Sequence, residues 1–454
     1  MNFKKTVIPA MLSLGLMSAL VGCGSNGGNE ASPTSSPSPS VSSSASSSPT
    51  NASEGLKGKL EIQYFVGGYG DTWWKETISE FEKMNPDLEV VQHAGPKINE
   101  QMKTRWIEGN PPDVVYIDGD GTFTEKLLVQ NEQLMDITDW IATAKNSDGE
   151  PIKDQLIGQP RSYDGVNYAI PLVFGVFGTW YDKALFQKNG WEVPKDWAGF
   201  LELNQKAMDA GIIPYIHQGQ YPSYIIRGLL NSGFVTENNG DPAILKDINA
   251  LKEGVFKSAP VMGMLSKLTE MNGKGYINKA ALALNHTDSQ NQWLQHKAIF
   301  IPCGLWLENE MKKTMPEGFD YGFIPSVTQA QGGKFVAVPY TNEIGIAKEA
   351  KNVDAAKAFL QFVFTKKAAI RWAETTGALM NLKVDLESTQ ASGAVKSAMS
   401  YLNSDNTIVA SVDNEMDPTV AKAMDDATAA LLGEKITKEE WADRMEKAAA
   451  AARK

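Results

Sequence analysis

The period of polar and apolar positions changes repeatedly along this chain, and the changes mark out its elements. Lys59 to Val66 alternates polar and apolar residues as a half-buried strand does. Gly67-Gly68-Tyr69-Gly70 then turns the chain into a helix carrying Trp74, Ile78, Phe81 and Met84 at helical spacing. Asn85-Pro86 ends that helix. Leu88 to Gln92 reads as a second strand and Ile98 to Glu108 as a helix. Pro111-Pro112-Asp113 introduces a buried strand, Val114 to Ile117, which runs into Asp118-Gly119-Asp120-Gly121. This strand-helix-strand rhythm predicts an α/β sheet with ligands off the carboxyl ends of its strands, where Tyr69 and Asp118 both fall.

Farther along, Tyr163 to Pro171 reads as a hairpin leading to a strand, and Thr179 to Phe186 as a strand entering a helix. Lys297 to Pro302 is another buried strand, ending at Gly304-Leu305-Trp306. The last part is mostly helical, with apolar stripes on Ala355 to Phe364, Ala394 to Leu402, Thr419 to Leu432 and Lys438 to Ala451. No internal repeat or heptad array interrupts this pattern.

The first 55 residues have neither period. A basic start at Lys4 and Lys5, an apolar run from Val7 to Val21 and the tetrad Leu20-Val21-Gly22-Cys23 resemble a bacterial lipoprotein export signal. They predict a signal peptide over 1–22, cleaved before Cys23, and diacylglycerol on the Cys23 sulfur. The run is too short for a stable membrane span. The competing reading is an ordinary secretory peptide with an incidental cysteine. Residues 23–55 are nearly all Ser, Pro, Gly, Asn, Thr and Ala, so they cannot bury enough apolar surface to offset their ordering entropy. They read as a flexible tether whose reach, at about 5 to 6 Å times the square root of its length, is a few tens of ångströms; a glycosylated stalk would reach as far.

The rest, 56–454, is long enough for two lobes with a large core. The chain carries a net charge of −11, and loss of Lys4 and Lys5 with the signal makes it more negative still. With no basic stripe to displace counterions, nucleic acid is excluded as a partner. There are only two cysteines. Once Cys23 is lipidated, Cys303 has no intramolecular partner and reads as a small buried residue. The histidines His93, His217, His286 and His296 do not fall at metal-ligand spacing, and no phosphate loop, Gly-x-Ser-x-Gly or Cys-x-x-Cys occurs, so no metal or other cofactor is expected. His286 and His296 read as surface residues of a helical region.

The order of several motifs carries a resemblance over nearly the whole of 56–454. Phe81-Glu82-Lys83-Met84-Asn85-Pro86 with Leu88-Glu89-Val90, Pro111-Pro112-Asp113-Val114-Val115, Tyr163 to Pro171, Trp180 to Phe186, Lys297 to Trp306 and Ala355 to Leu360 follow one another behind the lipobox and tether. In this order the chain resembles the sugar-binding lipoproteins of bacterial ABC importers, the family that includes the maltose-binding proteins. Gly67 to Asp71 and Pro302 to Met311 are most similar to its N-acetylglucosamine- and chitobiose-binding members.

The resemblance implies a two-lobe periplasmic-binding-protein-like α/β fold with a hinge. Lobe one would be 56–171 plus 334–376, lobe two 172–333 plus 377–454, with a carbohydrate bound between them. Only a closed state lets both lobes touch one ligand, so binding shifts the equilibrium toward closure. The partners implied are the carbohydrate, two permease subunits with an ATPase reached through them, and the bilayer through Cys23. The protein is expected to act as a monomer on the outer face of a single-membrane, Gram-positive cell.

A pyranose offers an apolar face that stacks on aromatic rings, and hydroxyls that need partners once removed from water. Trp306, after the glycine turn that closes a buried strand, is the first candidate platform because family members place a stacking tryptophan there; a core tryptophan is the competing reading. Glu308 and Asn309 could take hydroxyls, or be an exposed first helical turn. Tyr69 and Asp71 lie in the first strand-to-helix loop, where the family usually makes polar contacts. Asp118 and Asp120 match another family contact, although either could cap the next helix. Phe174 near the first crossing, Tyr221 after Ile216-His217-Gln218 and Tyr340 near the second crossing are further cleft aromatics, with core packing open for Phe174. Trp73, Trp74, Trp191, Trp197, Trp372 and Trp441 are assigned to packing.

Two other functions compete. Paired carboxylates in a sugar cleft are also what glycosidases use, so a secreted carbohydrate-active enzyme is an alternative to a non-catalytic receptor. A cell-surface adhesion lipoprotein is another, and the dense α/β patterning argues against it.

Overall fold

A computed structural model describes residues 55–119, 123–412 and 415–453. The signal peptide, Cys23, nearly all of the tether and Asp120 lie outside the described residues.

β1 (Gly58–Phe65) pairs in parallel with β2 (Leu88–Gly95) and β3 (Val114–Ile117), the three strands that the alternation and the apolar run predict. The helix Thr72–Met84 between the first two buries Trp73, Trp74, Thr77, Ile78 and Phe81. Met84 leaves the stripe: it ends the helix and is 60 % exposed, because the chain turns away at Asn85. Asp113 explains the role of the Pro-Pro-Asp entry to β3. Its carboxylate accepts the backbone N–H groups of Glu61 at 2.8 Å, Lys351 at 2.5 Å and Asn352 at 3.0 Å. Donors that no strand ladder reaches are thereby satisfied at a buried side chain.

The middle of the chain departs from the sequence pattern. Tyr163 and Val166 do close a hairpin through reciprocal backbone bonds of 2.9 and 3.0 Å. From there one strand, β4 (Ala169–Asp182), runs unbroken through the two stretches that the pattern separates, and it is buried at every position. A strand covered on both faces shows no alternation, so its middle is silent in the sequence. β5 (Ile213–Tyr215) lies parallel to β6 (Ala298–Cys303), while β6, β7 (Tyr321–Ile324) and β8 (Phe335–Ile346) all run antiparallel to β4. β8 takes the first half of β4, with an irregularity between Pro171 and Val173, and β6 and β7 take it from Gly178 onward. β9 (Thr407–Val409) adds to β8. The described strands follow the order β2-β1-β3-β8-β4-β6-β5, so β4 and β8 join the two ends of the sheet.

One apolar core centres on Tyr64, Trp73, Trp74, Phe359 and Trp372 and extends to Trp180 and Tyr321; another holds Phe200, Phe256 and Trp441. Trp191 and Trp197, half-buried, pack on the second core, as expected of packing residues. The tail helices Gly393–Leu402, Pro418–Leu432 and Lys438–Ala452 stand where their stripes predict, the last with a capping box from Thr437 and Glu440. Cys303 is a free, buried thiol. Among the described residues no helix is long and apolar enough to cross a membrane.

Candidate functional site

Five aromatic rings from five separate segments meet at one place, Phe177 and Tyr340 from within β4 and β8 and Tyr69, Tyr224 and Trp306 from segments outside the strands. Trp306 follows β6. Its indole folds over Gly304 and lies against Gly68, where a Cβ would come within 2.6 Å of Cδ1. Neither position has room for a side chain, so the two glycines that bracket Trp306 are a requirement of close approach. Around the half-buried indole stand Tyr69 at 6.0 Å, Phe177 at 5.1 Å, Tyr224 at 6.0 Å and Tyr340 at 5.7 Å between ring centroids, all edge-on. Tyr340 lies across Gly175, its partner on β4, and its hydroxyl meets that of Tyr69 at 2.5 Å. Burial pushes both phenols far above their ordinary range, so each remains a neutral donor and acceptor.

Polar groups border this cluster. Asp118, at the end of β3, accepts the backbone N–H of Gly119 at 2.7 Å and the side-chain amide of Asn342 at 3.0 Å. Burial raises its carboxyl to about 6, against the lowering effect of the Gly119 bond. Arg227 stands 5.6 Å over the Phe177 ring, presented by Ile226–Leu230, a five-residue π-helical turn. Such turns are rare and cluster at functional sites. Asn309 donates to the Gly68 carbonyl at 2.8 Å and so ties the turn after Trp306 to the loop after β1.

The residues singled out from the sequence divide accordingly. Trp306, Tyr69, Tyr340, Asp118 and Asn309 come together. Asp71 is held at 2.6 Å by Lys75 on the surface of its helix. Glu308 turns toward Ser392 and Lys183, with burial raising its carboxyl and one oxygen left without a hydrogen-bond partner. Tyr221 is 50 % exposed, 6.5 Å from Tyr224 at the rim. Phe174 is buried in the core against Gly158, and its backbone N–H bonds to Leu379. Successive residues of a strand face opposite ways, so it is Phe177, on the face of Gly175, that reaches the cluster.

Phe177, Tyr224, Arg227 and Asn342 were not foreseen. Alternation from Gly175 could have found Phe177 once β4 was known to be continuous; a three-residue helical turn at Ser223–Ile225, the π-turn after it and a twelve-residue strand with no alternation left no signal for Tyr224, Arg227 and Asn342. His286, expected at the surface, is a quarter exposed and has both ring nitrogens engaged. His296 is more open and pairs with Asp182 at 2.7 Å. Among the described residues no group of three or more His, Cys, Asp and Glu could hold a metal ion. What the arrangement can do is grip a neutral, hydroxyl-rich ring: aromatic edges and faces for C–H surface, Asp118, Asn342, Arg227 and two phenols for oxygens.

A family model described as bacterial extracellular solute-binding protein matches residues 67–370. The diacetylchitobiose binding protein NgcE of Streptomyces coelicolor is 28 % identical over 327 residues, 70 % of this chain and 68 % of its own length. The multiple sugar-binding protein of Streptococcus mutans is 22 % identical over 342 residues, 74 % of this chain and 78 % of its own. Among solved structures, a chitin oligosaccharide binding protein superposes with a TM-score of 0.69 at 18 % identity, covering 87 % of this chain and 98 % of its own. A RafE binding protein in complex with raffinose does so with 0.64 at 18 % identity, covering 86 % and 98 %. These likenesses show the two-lobe binding-protein fold.

Proposed function

The chain belongs to the bacterial extracellular solute-binding proteins, and from that premise we propose that it is the carbohydrate receptor of an ABC importer. It acts as a lipid-anchored monomer, held to the outer face of the cell membrane through Cys23, and delivers a short oligosaccharide containing N-acetylglucosamine to its permease. The observation that carries the reading is the meeting of Tyr69, Phe177, Tyr224, Trp306 and Tyr340 beside the Asp118–Asn342 pair. The acetylated sugar is favoured by the relative from Streptomyces coelicolor, which binds diacetylchitobiose. If the lobes divide at 171/172, 333/334 and 376/377, Trp306 and Asn309 come from one lobe and Gly68 from the other. A sugar seated at that seam is then enclosed only when the lobes shut, which is the form a permease would read.

The test is a titration of the protein with chitin, malto-, xylo- and cello-oligosaccharides, following tryptophan fluorescence and the unfolding midpoint together. Diacetylchitobiose or a longer chitin fragment should raise the midpoint, by the equivalent of about 2.7 kcal/mol at a hundred times its Kd. Trp306→Ala should abolish the response. A protein that answers to none of these sugars, or that consumes one, would refute the receptor reading.

A further inference from the structure

Behind the aromatic cluster runs a line of short hydrogen bonds that stacking and cleft closure leave without a role. The Tyr224 hydroxyl lies 2.6 Å from Nδ1 of His286, and Nε2 of the same ring lies 2.5 Å from Oε1 of Glu310. The other oxygen of Glu310 accepts the side-chain amide of Gln290, a fully buried residue, at 2.9 Å. Glu310 belongs to the short helix Leu307–Met311 that follows Trp306 directly, so one turn of chain carries both the indole and the anchor of this line.

The partners dictate where the protons sit. A carboxylate only accepts, so Nε2 facing Glu310 carries the hydrogen. In the neutral ring Nδ1 is then bare and must accept, and the one proton within reach is that of the Tyr224 hydroxyl. The phenol is therefore committed as a donor to His286, and its oxygen has only lone pairs left to offer. Tyr224 is half-buried and stands edge-on to Trp306 at 6.0 Å and to Phe177 at 5.9 Å, which makes it part of the wall against which a sugar would lie.

We propose that Glu310 and His286 are positioning residues that make Tyr224 a hydrogen-bond acceptor toward the ligand. This corner of the cleft thus selects a sugar group that donates, a hydroxyl or an acetamido N–H, over one that can only accept. The selection rests on the carbohydrate reading above; the proton arrangement does not.

Two measurements on the full chain separate them. The first is the 15N spectrum of the histidine rings without sugar, in wild type and Tyr224→Phe. His286 should show a protonated Nε2 and a bare Nδ1, with only its Nδ1 resonance moving in the variant, while His93, His217 and His296 stay in place. A proton on Nδ1 in the neutral ring overturns the proposal. The second is the affinity for diacetylchitobiose and for its singly deoxygenated and N-methylated analogues, in wild type, Tyr224→Phe and Glu310→Gln. One analogue, lacking the donor that meets Tyr224, should bind wild type about tenfold more weakly than the parent sugar. Tyr224→Phe should not tell the two apart, and Glu310→Gln, which frees the tautomer, should show a smaller difference than wild type. Sugar binding in which wild type and Tyr224→Phe lose the same factor for every analogue overturns the selection alone. Failure of wild type to bind any sugar sinks the receptor reading and the selection with it.

Discussion

Arg161 faces three carboxylates with one nitrogen. Its Nη1 lies 3.1 Å from Glu125, 2.8 Å from Glu343 and 2.9 Å from Glu415, and Nη2 donates to Thr341 Oγ1 at 2.9 Å. The side chains are 15 %, 0 %, 6 % and 27 % exposed in the order Arg161, Glu125, Glu343, Glu415. One positive charge cannot balance two buried carboxylates and a third that is partly exposed. Burial, with Glu343 beside it, pushes Glu125 up to about 8, so that it is a neutral acid at pH 7, and burial raises Glu343 as well. Arg161→Met keeps most of the stem and removes the charge, which leaves Glu343 to be buried neutral. Holding a glutamate protonated at pH 7, about 2.7 pH units above its ordinary value of about 4.3, at about 1.36 kcal/mol per unit, sets a ceiling of about 4 kcal/mol. Because burial already raises Glu343 in the wild type, the expected loss is about 2–4 kcal/mol, overlapping the roughly 3–5 kcal/mol typical of removing one partner of a buried pair. At pH 5 the same requirement costs about 1 kcal/mol or less. Urea unfolding followed by tryptophan fluorescence should therefore show a deficit that shrinks severalfold between pH 7 and pH 5. Adding Glu343→Gln should restore most of it. A deficit equal at the two pH values would refute the view that Arg161 acts as the counter-charge of Glu343.

Because the carboxyl of Glu125 is held above its ordinary range in the fold, its contribution to stability is full at low pH and lost as pH rises through about 8; wild-type unfolding free energy should fall between pH 5 and pH 9, and Glu125→Gln should flatten the fall. Gly68→Ala places a methyl within 2.6 Å of the Trp306 indole, so it should weaken sugar binding at least tenfold while the unfolding midpoint changes little, as read by titration and thermal scan. Asp118, raised to about 6, accepts from a sugar hydroxyl more strongly when ionised, because a charge-assisted bond is roughly twice as strong as a neutral one; calorimetry in buffers of different ionisation enthalpy should detect proton release on binding near pH 6 and affinity rising from pH 5 to 7, and Asp118→Asn should remove both. Asp113→Ala leaves three backbone donors without their acceptor and should cost about 3 kcal/mol or more in urea unfolding, with no selective effect on which sugar binds.

Local chemistry by itself determined much of this protein. Val114–Ile117 and the helix pattern up to Pro86 were legible because their signals, an apolar run, a stripe at helical spacing and a proline stop, are contained in the segments that form them. The same holds for the three tail helices, whereas Trp306 was singled out by the resemblance to a family that places a stacking tryptophan after this glycine turn. Only the tertiary structure decided what depends on distant partners. β4 is continuous because β8, β6 and β7 cover it, and that continuity turns Phe177 rather than Phe174 toward the rings. Arg161 finds Glu343 across 182 residues, and Tyr224 finds His286 across 62. A charge or a phenol takes its protonation and its direction from whatever the fold sets beside it, and no window of sequence holds both partners.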